Sequence, residues 1–94
     1  MTLLLKDPEA VLDYSIDWGS EYVGGSDLLV ASDWSVLPDE SGGLAVCGSA
    51  FDAGVTTVKA GGGVPGHVYR LINRVTLESG RVDDRSMVIR VEAR

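Results

Sequence analysis

From Val11 the chain alternates with a period of two. Leu12, Tyr14, Ile16 and Trp18 fall on one side, and Val11, Asp13, Ser15 and Asp17 on the other. That period belongs to a strand with one buried face, because successive side chains leave a pleated backbone on opposite sides. A helix would scatter the same apolar residues around its girdle. The aspartates are then the wet side of the strand. They are not a catalytic pair: four residues of strand hold Asp13 and Asp17 about 13 Å apart, whereas glycosidase carboxylates stand ~5–9.5 Å apart.

The same signature recurs along the chain. Leu28, Val30, Ser32, Trp34 and Val36 are expected to face one way, and Leu29, Ala31, Asp33 and Ser35 the other. The glycine- and serine-rich "GSEYVGGSD" connects these two strands, and "LPDESGG" (37–43) turns the chain after the second. Leu44–Phe51 reads as a third strand weakened by Gly48, and Val55–Ala60 as a short β-branched fourth, followed by a "GGGVPG" loop at 61–66. Near the carboxyl end, Tyr69, Leu71, Val75 and Leu77 alternate with Arg70, Arg74 and Thr76, leaving Ile72 on the arginine side and Asn73 on the apolar one. Met87, Ile89, Val91 and Ala93 alternate with Ser86, Val88, Arg90 and Glu92 beyond a turn at Gly80, which predicts an antiparallel hairpin. The expectation is an all-β, immunoglobulin-like antiparallel β-sandwich of six or seven strands without significant helix; a small barrel is the other arrangement this spacing allows. It divides into an N-terminal arm at 1–9 and a single sandwich domain at 10–94.

Size and charge narrow the function. A chain of 94 residues buries roughly 60–65% of its unfolded surface and has little room for an enclosed pocket. Residues 1–54 hold ten acids against Lys6, a balance of −9, and residues 55–94 hold seven bases against four acids, a balance of +3. Every arginine lies at or beyond residue 70. The overall field repels phosphate, so nucleic acid is not an expected partner. Opposite charges are expected to neutralise across adjacent strands, or else to form an acidic and a basic face. The Thr2–Leu5 run is too short for a secretory leader, and no apolar run approaches the ~20 residues of a membrane span, so a soluble protein made in the cytoplasm is expected.

No stretch carries a catalytic constellation. "AGGGVPGH" (60–67) lacks the lysine, the Ser/Thr and the following helix of a phosphate loop. His67, the sole histidine, has no nucleophile or metal ligand at a telling spacing, and Cys47 reads as packing. "RVDDR" (81–85) does not have calcium-loop spacing, and Arg74, Arg81, Asp83, Asp84 and Arg85 are expected to brace the hairpin as ion pairs. Asn73 needs a hydrogen-bond partner if buried and reads as a structural tie. Trp18 and Trp34 are expected in the core, with the alternative that one anchors a partner at an end of the sandwich. Neither an enzyme nor a cofactor or metal is expected.

Together, "KDPEAVLDYSIDW", "GGSDLLVASDWSV" and "VYRLINRVTLESGRVDDRSMVIRVEAR" resemble the small phage fiber-tail adaptor proteins. The features carrying the resemblance are Lys6-Asp7-Pro8, Asp13-Tyr14, Asp17-Trp18, Ser32 to Val36, Asn73-Arg74, Gly80-Arg81 and Asp84-Arg85-Ser86. Residues 37–60 follow the pattern only loosely. The resemblance implies a non-enzymatic virion protein located in the tail. Its partners would be a tail fiber and a tail tube or baseplate component, with a homo-oligomer in the particle and no membrane. Candidate interface residues are Leu3, Leu4, Leu5, Lys6, Asp13, Asp17, Trp18 and Tyr22, on the view that association uses strand edges and the apolar arm. Other readings are a head-tail connector, a capsid decoration protein, or an immunoglobulin-like sugar- or protein-binding module.

Overall fold

The computed structural model describes residues 3–18, 27–52 and 54–93. Seven strands run in chain order: β1 (Leu3–Lys6), β2 (Leu12–Asp17), β3 (Leu29–Leu37), β4 (Leu44–Phe51), β5 (Val55–Gly62), β6 (Val68–Leu77) and β7 (Val82–Val91). They form a four-stranded sheet, β1-β7-β6-β3, and a three-stranded sheet, β2-β5-β4. There is no helix among the described residues. The strand order is compatible with an immunoglobulin-like sandwich.

The apolar sides of the alternating strands meet between the layers. Leu44, Val58 and Ala60 of the three-stranded sheet pack with Tyr69, Leu71, Met87, Ile89 and Val91 of the other. A second cluster joins Trp18, Leu29, Val75 and Leu77 toward the hairpin end. β6 and β7 show the alternation most clearly, since both lie inside their sheet with one face on this core. Their turn is closed by Leu77 N–H donating to the Arg81 carbonyl at 2.8 Å. The Asp27 carboxylate fastens it from outside, accepting from Ser79 N–H at 3.0 Å and Ser79 Oγ at 2.7 Å.

Three strands depart from the expected pattern. In β3 the register shifts between Leu29 and Ala31. This bulge swaps the phase, so Leu29 is buried and Val30 exposed, while Ser32, Trp34 and Val36 face inward as expected. β5 continues through Gly61 and Gly62, so the loop begins two residues later than the glycine run suggested. The residues taken as an arm supply β1, which pairs in parallel with β7, Leu3 opposite Val88 through Lys6 opposite Val91. One edge of that segment is therefore occupied within the chain itself, and the sandwich is antiparallel in its other pairings.

Candidate interaction surfaces and the bridge that supports them

β2 ends by turning Trp18 beneath the four-stranded sheet, where its indole is fully buried. A buried indole N–H needs an acceptor. It donates to Asn73 Oδ1 on β6 at 2.9 Å and approaches Thr56 Oγ1 on β5 at 3.3 Å. Thr56 in turn donates to the same Asn73 oxygen at 2.7 Å. The Asn73 amide nitrogen donates to Ser32 Oγ at 2.9 Å and to the Asp33 carbonyl at 3.1 Å. One carboxamide thus links both sheets through β3, β5, β6 and the end of β2. The Arg85 guanidinium lies 4.7 Å from the Trp18 ring centroid and covers the indole from β7.

Lys6 is the other buried polar anchor, 1% exposed. Its ammonium donates to the Gly62 carbonyl at 2.7 Å and to the Asp7 carbonyl at 2.8 Å, joining β1 to the end of β5. Burial pushes its pKa below the ordinary lysine value, partly opposed by the Asp7 carboxylate.

Two expected interface residues are corrected by this geometry. Trp18 and Lys6 present no surface to a partner, because the indole completes the internal bridge and the lysine stem is enclosed with its charge on backbone carbonyls. Tyr22 lies outside the described residues. Asp13 and Asp17 are exposed on the outer face of the three-stranded sheet, where Asp13 is the register partner of Lys59. Leu4 faces inward against the core.

Leu3 and Leu5 point outward and belong to a larger apolar face. Residues directly opposite on paired strands share a face, and two adjacent rows follow from the register. Leu37, Arg70, Val88 and Leu3 form one row across β3, β6, β7 and β1; Val68, Arg90 and Leu5 form the next. Leu3, Leu37, Val68 and Leu5 are 63%, 55%, 49% and 47% exposed. A shallow groove of about 530 Å³ lined by Leu37, Pro38, Val68, Tyr69, Arg70 and Val88 opens beside them. Arg90 is paired with Glu92 at 2.7 Å. Arg70 has no carboxylate partner among the described residues.

Further along the same face, Arg74 takes Asp84 in two contacts, 2.8 Å from Nε and 3.2 Å from an Nη. Asp33 is its register partner on the other side. The row Asp33-Arg74-Asp84 therefore joins an acid of the N-terminal half to the basic half. The Arg74 guanidinium holds the Asp84 carboxyl below the usual carboxylate range. Asp83 Oδ1 accepts the Asp84 N–H at 2.8 Å, and Arg81 is exposed at the turn. His67 Nδ1 meets Glu40 at 2.8 Å, an exposed link between two loops. Among the described residues no three His, Cys, Asp or Glu side chains cluster as metal ligands.

Of the residues that carry the sequence resemblance, Trp18, Ser32, Asn73 and Arg85 meet at the internal bridge, Arg74 and Asp84 pair on the hairpin, and Lys6 anchors β1 to β5. Residues 6–90 match the family described as podophage GP4 fiber-tail adaptor protein gp77. The chain belongs to that family. No curated protein matches it. Membership makes it a structural component of the phage tail, in a family that is not an enzyme class.

Sequence reasoning missed Thr56 and Ser32 as members of the bridge and Lys6 as a buried anchor. Thr56 had a readable signal, since it sits two residues from the apolar Val58 on a strand and so shares its inward face. Lys6 had none, because a long aliphatic stem is equally at home on a surface.

Proposed function

We propose that this tail adaptor seats a fiber, or another peripheral protein, through the outward face of its four-stranded sheet. The family match over residues 6–90 carries the adaptor reading. The choice of face rests on the two rows that contain Leu3, Leu5, Leu37, Val68 and Val88. Leu37 and Val68 at one end and Leu3 and Leu5 at the other meet across Val88, with Arg70 and Arg90 in the same two rows, and contiguous exposed apolar surface of this kind marks interaction sites on soluble proteins. Arg70 within the patch, without a carboxylate of its own chain among the described residues, suits a partner that brings an acid to an otherwise apolar surface.

Antibody labelling of intact particles in the electron microscope tests the location. Label at the tail near the fiber bases supports the reading, and label over the head moves the protein to a connector or decoration role. The face is tested separately by capture of tail proteins from disrupted particles. Leu5→Asp with Val68→Asp should abolish capture while leaving the melting curve unchanged; undiminished capture would move the interface elsewhere on the sandwich.

A further inference from the structure

Arg70, Arg74 and Arg90 all stand on the outward face of β6 and β7. Arg74 holds Asp84 at 2.8 Å, and Arg90 holds Glu92 at 2.7 Å. Arg70 lies between them along the strands and has no carboxylate partner among the described residues, although the chain carries 14 acids against 8 bases. Its neighbours on the face are apolar on every side. Leu37 and Val88 oppose it on the two adjacent strands, and Val68 and Ile72 lie two residues before and after it on β6. The fold thus sets one unmatched cation inside a ring of four apolar side chains. Water hydrates that guanidinium in the free chain. A partner that covers the ring removes the water, and a charge so covered is costly unless a counter-charge replaces it. Backbone carbonyls of this chain cannot serve Arg70 as they serve Lys6, because those around it are spent in the β3–β6 and β6–β7 ladders.

We propose that the occupant of this face is an apolar segment of another tail protein that carries one Asp or Glu, whose carboxylate docks on Arg70. The inference rests on the reading of the face given above and names the chemistry that the face selects. A carboxylate fits the planar guanidinium in two hydrogen bonds, as Asp84 already does on Arg74. Charge complementarity also turns other occupants away. A segment that brings a lysine or arginine to the ring meets a like charge, and an uncharged one leaves Arg70 covered and unpaired. A second copy fares no better: an isologous contact centred on this patch sets Arg70 against its own counterpart, between two chains that each carry −6. An arginine at the centre of a ring that excludes water is also where interfaces concentrate their binding energy. The ring supplies area, and Arg70 supplies the choice.

The Arg70→Lys chain, mixed with the proteins of disrupted particles and treated with a water-soluble carbodiimide, tests the contact directly. The reagent joins an amine to a carboxylate already touching it and adds no spacer, so mass spectrometry of the linked peptides names the acid. A link from position 70 to an Asp or Glu of another tail protein, flanked by apolar residues, is expected. No link at position 70, or links only to acids of this same chain, overturns the proposal. Arg70→Met keeps the apolar stem and removes the charge. It should weaken capture of the linked protein by about tenfold or more at an unchanged melting temperature, since no ion pair within the described chain is lost. Capture by Arg70→Met at wild-type strength overturns the proposal. The face and the carboxylate fail separately. If Leu5→Asp with Val68→Asp abolishes capture while Arg70→Met leaves it intact, the face stands and the carboxylate falls; if capture survives the double variant, the face itself falls.

Discussion

Replacing Asn73 with leucine tests the internal bridge at its centre. The two side chains are similar in volume, so the loss is chiefly of hydrogen bonds and not of packing. In the native protein the Asn73 oxygen accepts from Trp18 and Thr56, and its nitrogen donates to Ser32 and the Asp33 carbonyl. Asn73→Leu takes the 2.9 Å acceptor from the Trp18 N–H, keeps the 3.3 Å approach to Thr56, and removes a donor from Asp33. The Ser32 and Thr56 hydroxyls can rotate toward other acceptors, so their losses are smaller. With about 1–3 kcal/mol for each of the two strongly abandoned groups, and about 1 kcal/mol regained from the added apolar surface, the net cost lies between about 1 and 5 kcal/mol, centred near 3, and we take the middle of that span, roughly 2–4 kcal/mol. For a domain of this size that corresponds to a fall in melting temperature of roughly 10–30 °C. Urea unfolding followed by tryptophan fluorescence and far-ultraviolet circular dichroism measures it. Thr56→Val should cost less in the Asn73→Leu background than in the wild type, by on the order of 1 kcal/mol, because its acceptor has already gone. An Asn73→Leu protein within about 1 kcal/mol of wild type, at the same urea dependence, would refute the bridge as a source of stability.

Other outcomes follow from the same geometry. Gly63 has φ +111°, and a Cβ there would stand 2.5 Å from Val91 Cγ2; Gly63→Ala should therefore destabilise by about 2–4 kcal/mol in thermal melts, and a neutral result would contradict the close approach. The Tyr14 hydroxyl is buried with no hydrogen-bond partner among the described residues, so Tyr14→Phe should leave urea stability unchanged or raise it by up to about 1 kcal/mol; a clear loss would mean that the hydroxyl is satisfied in solution. Asp84, held down by Arg74, and Asp52, held down by the Gly54 and Val55 N–H groups, both have pKa values below the unfolded 3.8. Their contribution is complete above that value and is lost as pH falls through the lower folded values. The urea midpoint should accordingly decline on acidification below about pH 4, and more shallowly in Asp84→Asn; an equally steep decline in that variant would exclude Asp84 as a source.

How far the sequence could be read depended on how local each determinant was. β2, β6 and β7 were legible because each has one dry and one wet face, and the period of two records that directly. β3 was legible in extent and, from Ser32 onward, in phase, but a one-residue bulge at Val30 reverses the faces before it and leaves no mark in composition. β4 could be bounded but not oriented, because almost all of it is exposed and no face is selected. In the bridge, Asn73 on an apolar face signalled that a partner had to exist. Which partner was invisible, because Trp18 is 55 residues away and Thr56 is 17, and only the stacking of the two sheets brings them together. Lys6 shows the converse: an apolar stem with a charged tip reads as surface, yet two backbone carbonyls suffice to take the tip inside.

The features that carry the family resemblance and the face proposed for a partner are nearly disjoint. Lys6, Trp18, Ser32, Asn73 and Arg85 all belong to those features, and each is an anchor, a member of the internal bridge or its cover. Leu3, Leu5, Leu37, Val68, Arg70 and Val88 are not among those features. Recognition of this chain therefore reads its scaffold, while the face proposed for a partner is built from residues outside those features. The two sets should separate by experiment. Substitutions in the bridge lower stability in the isolated chain, whereas Leu5→Asp with Val68→Asp leaves the melting curve in place and changes only what the sandwich holds. A bridge variant of full stability that lost its partners, or a face variant that unfolded the chain, would show that scaffold and interface are not separable in this small domain.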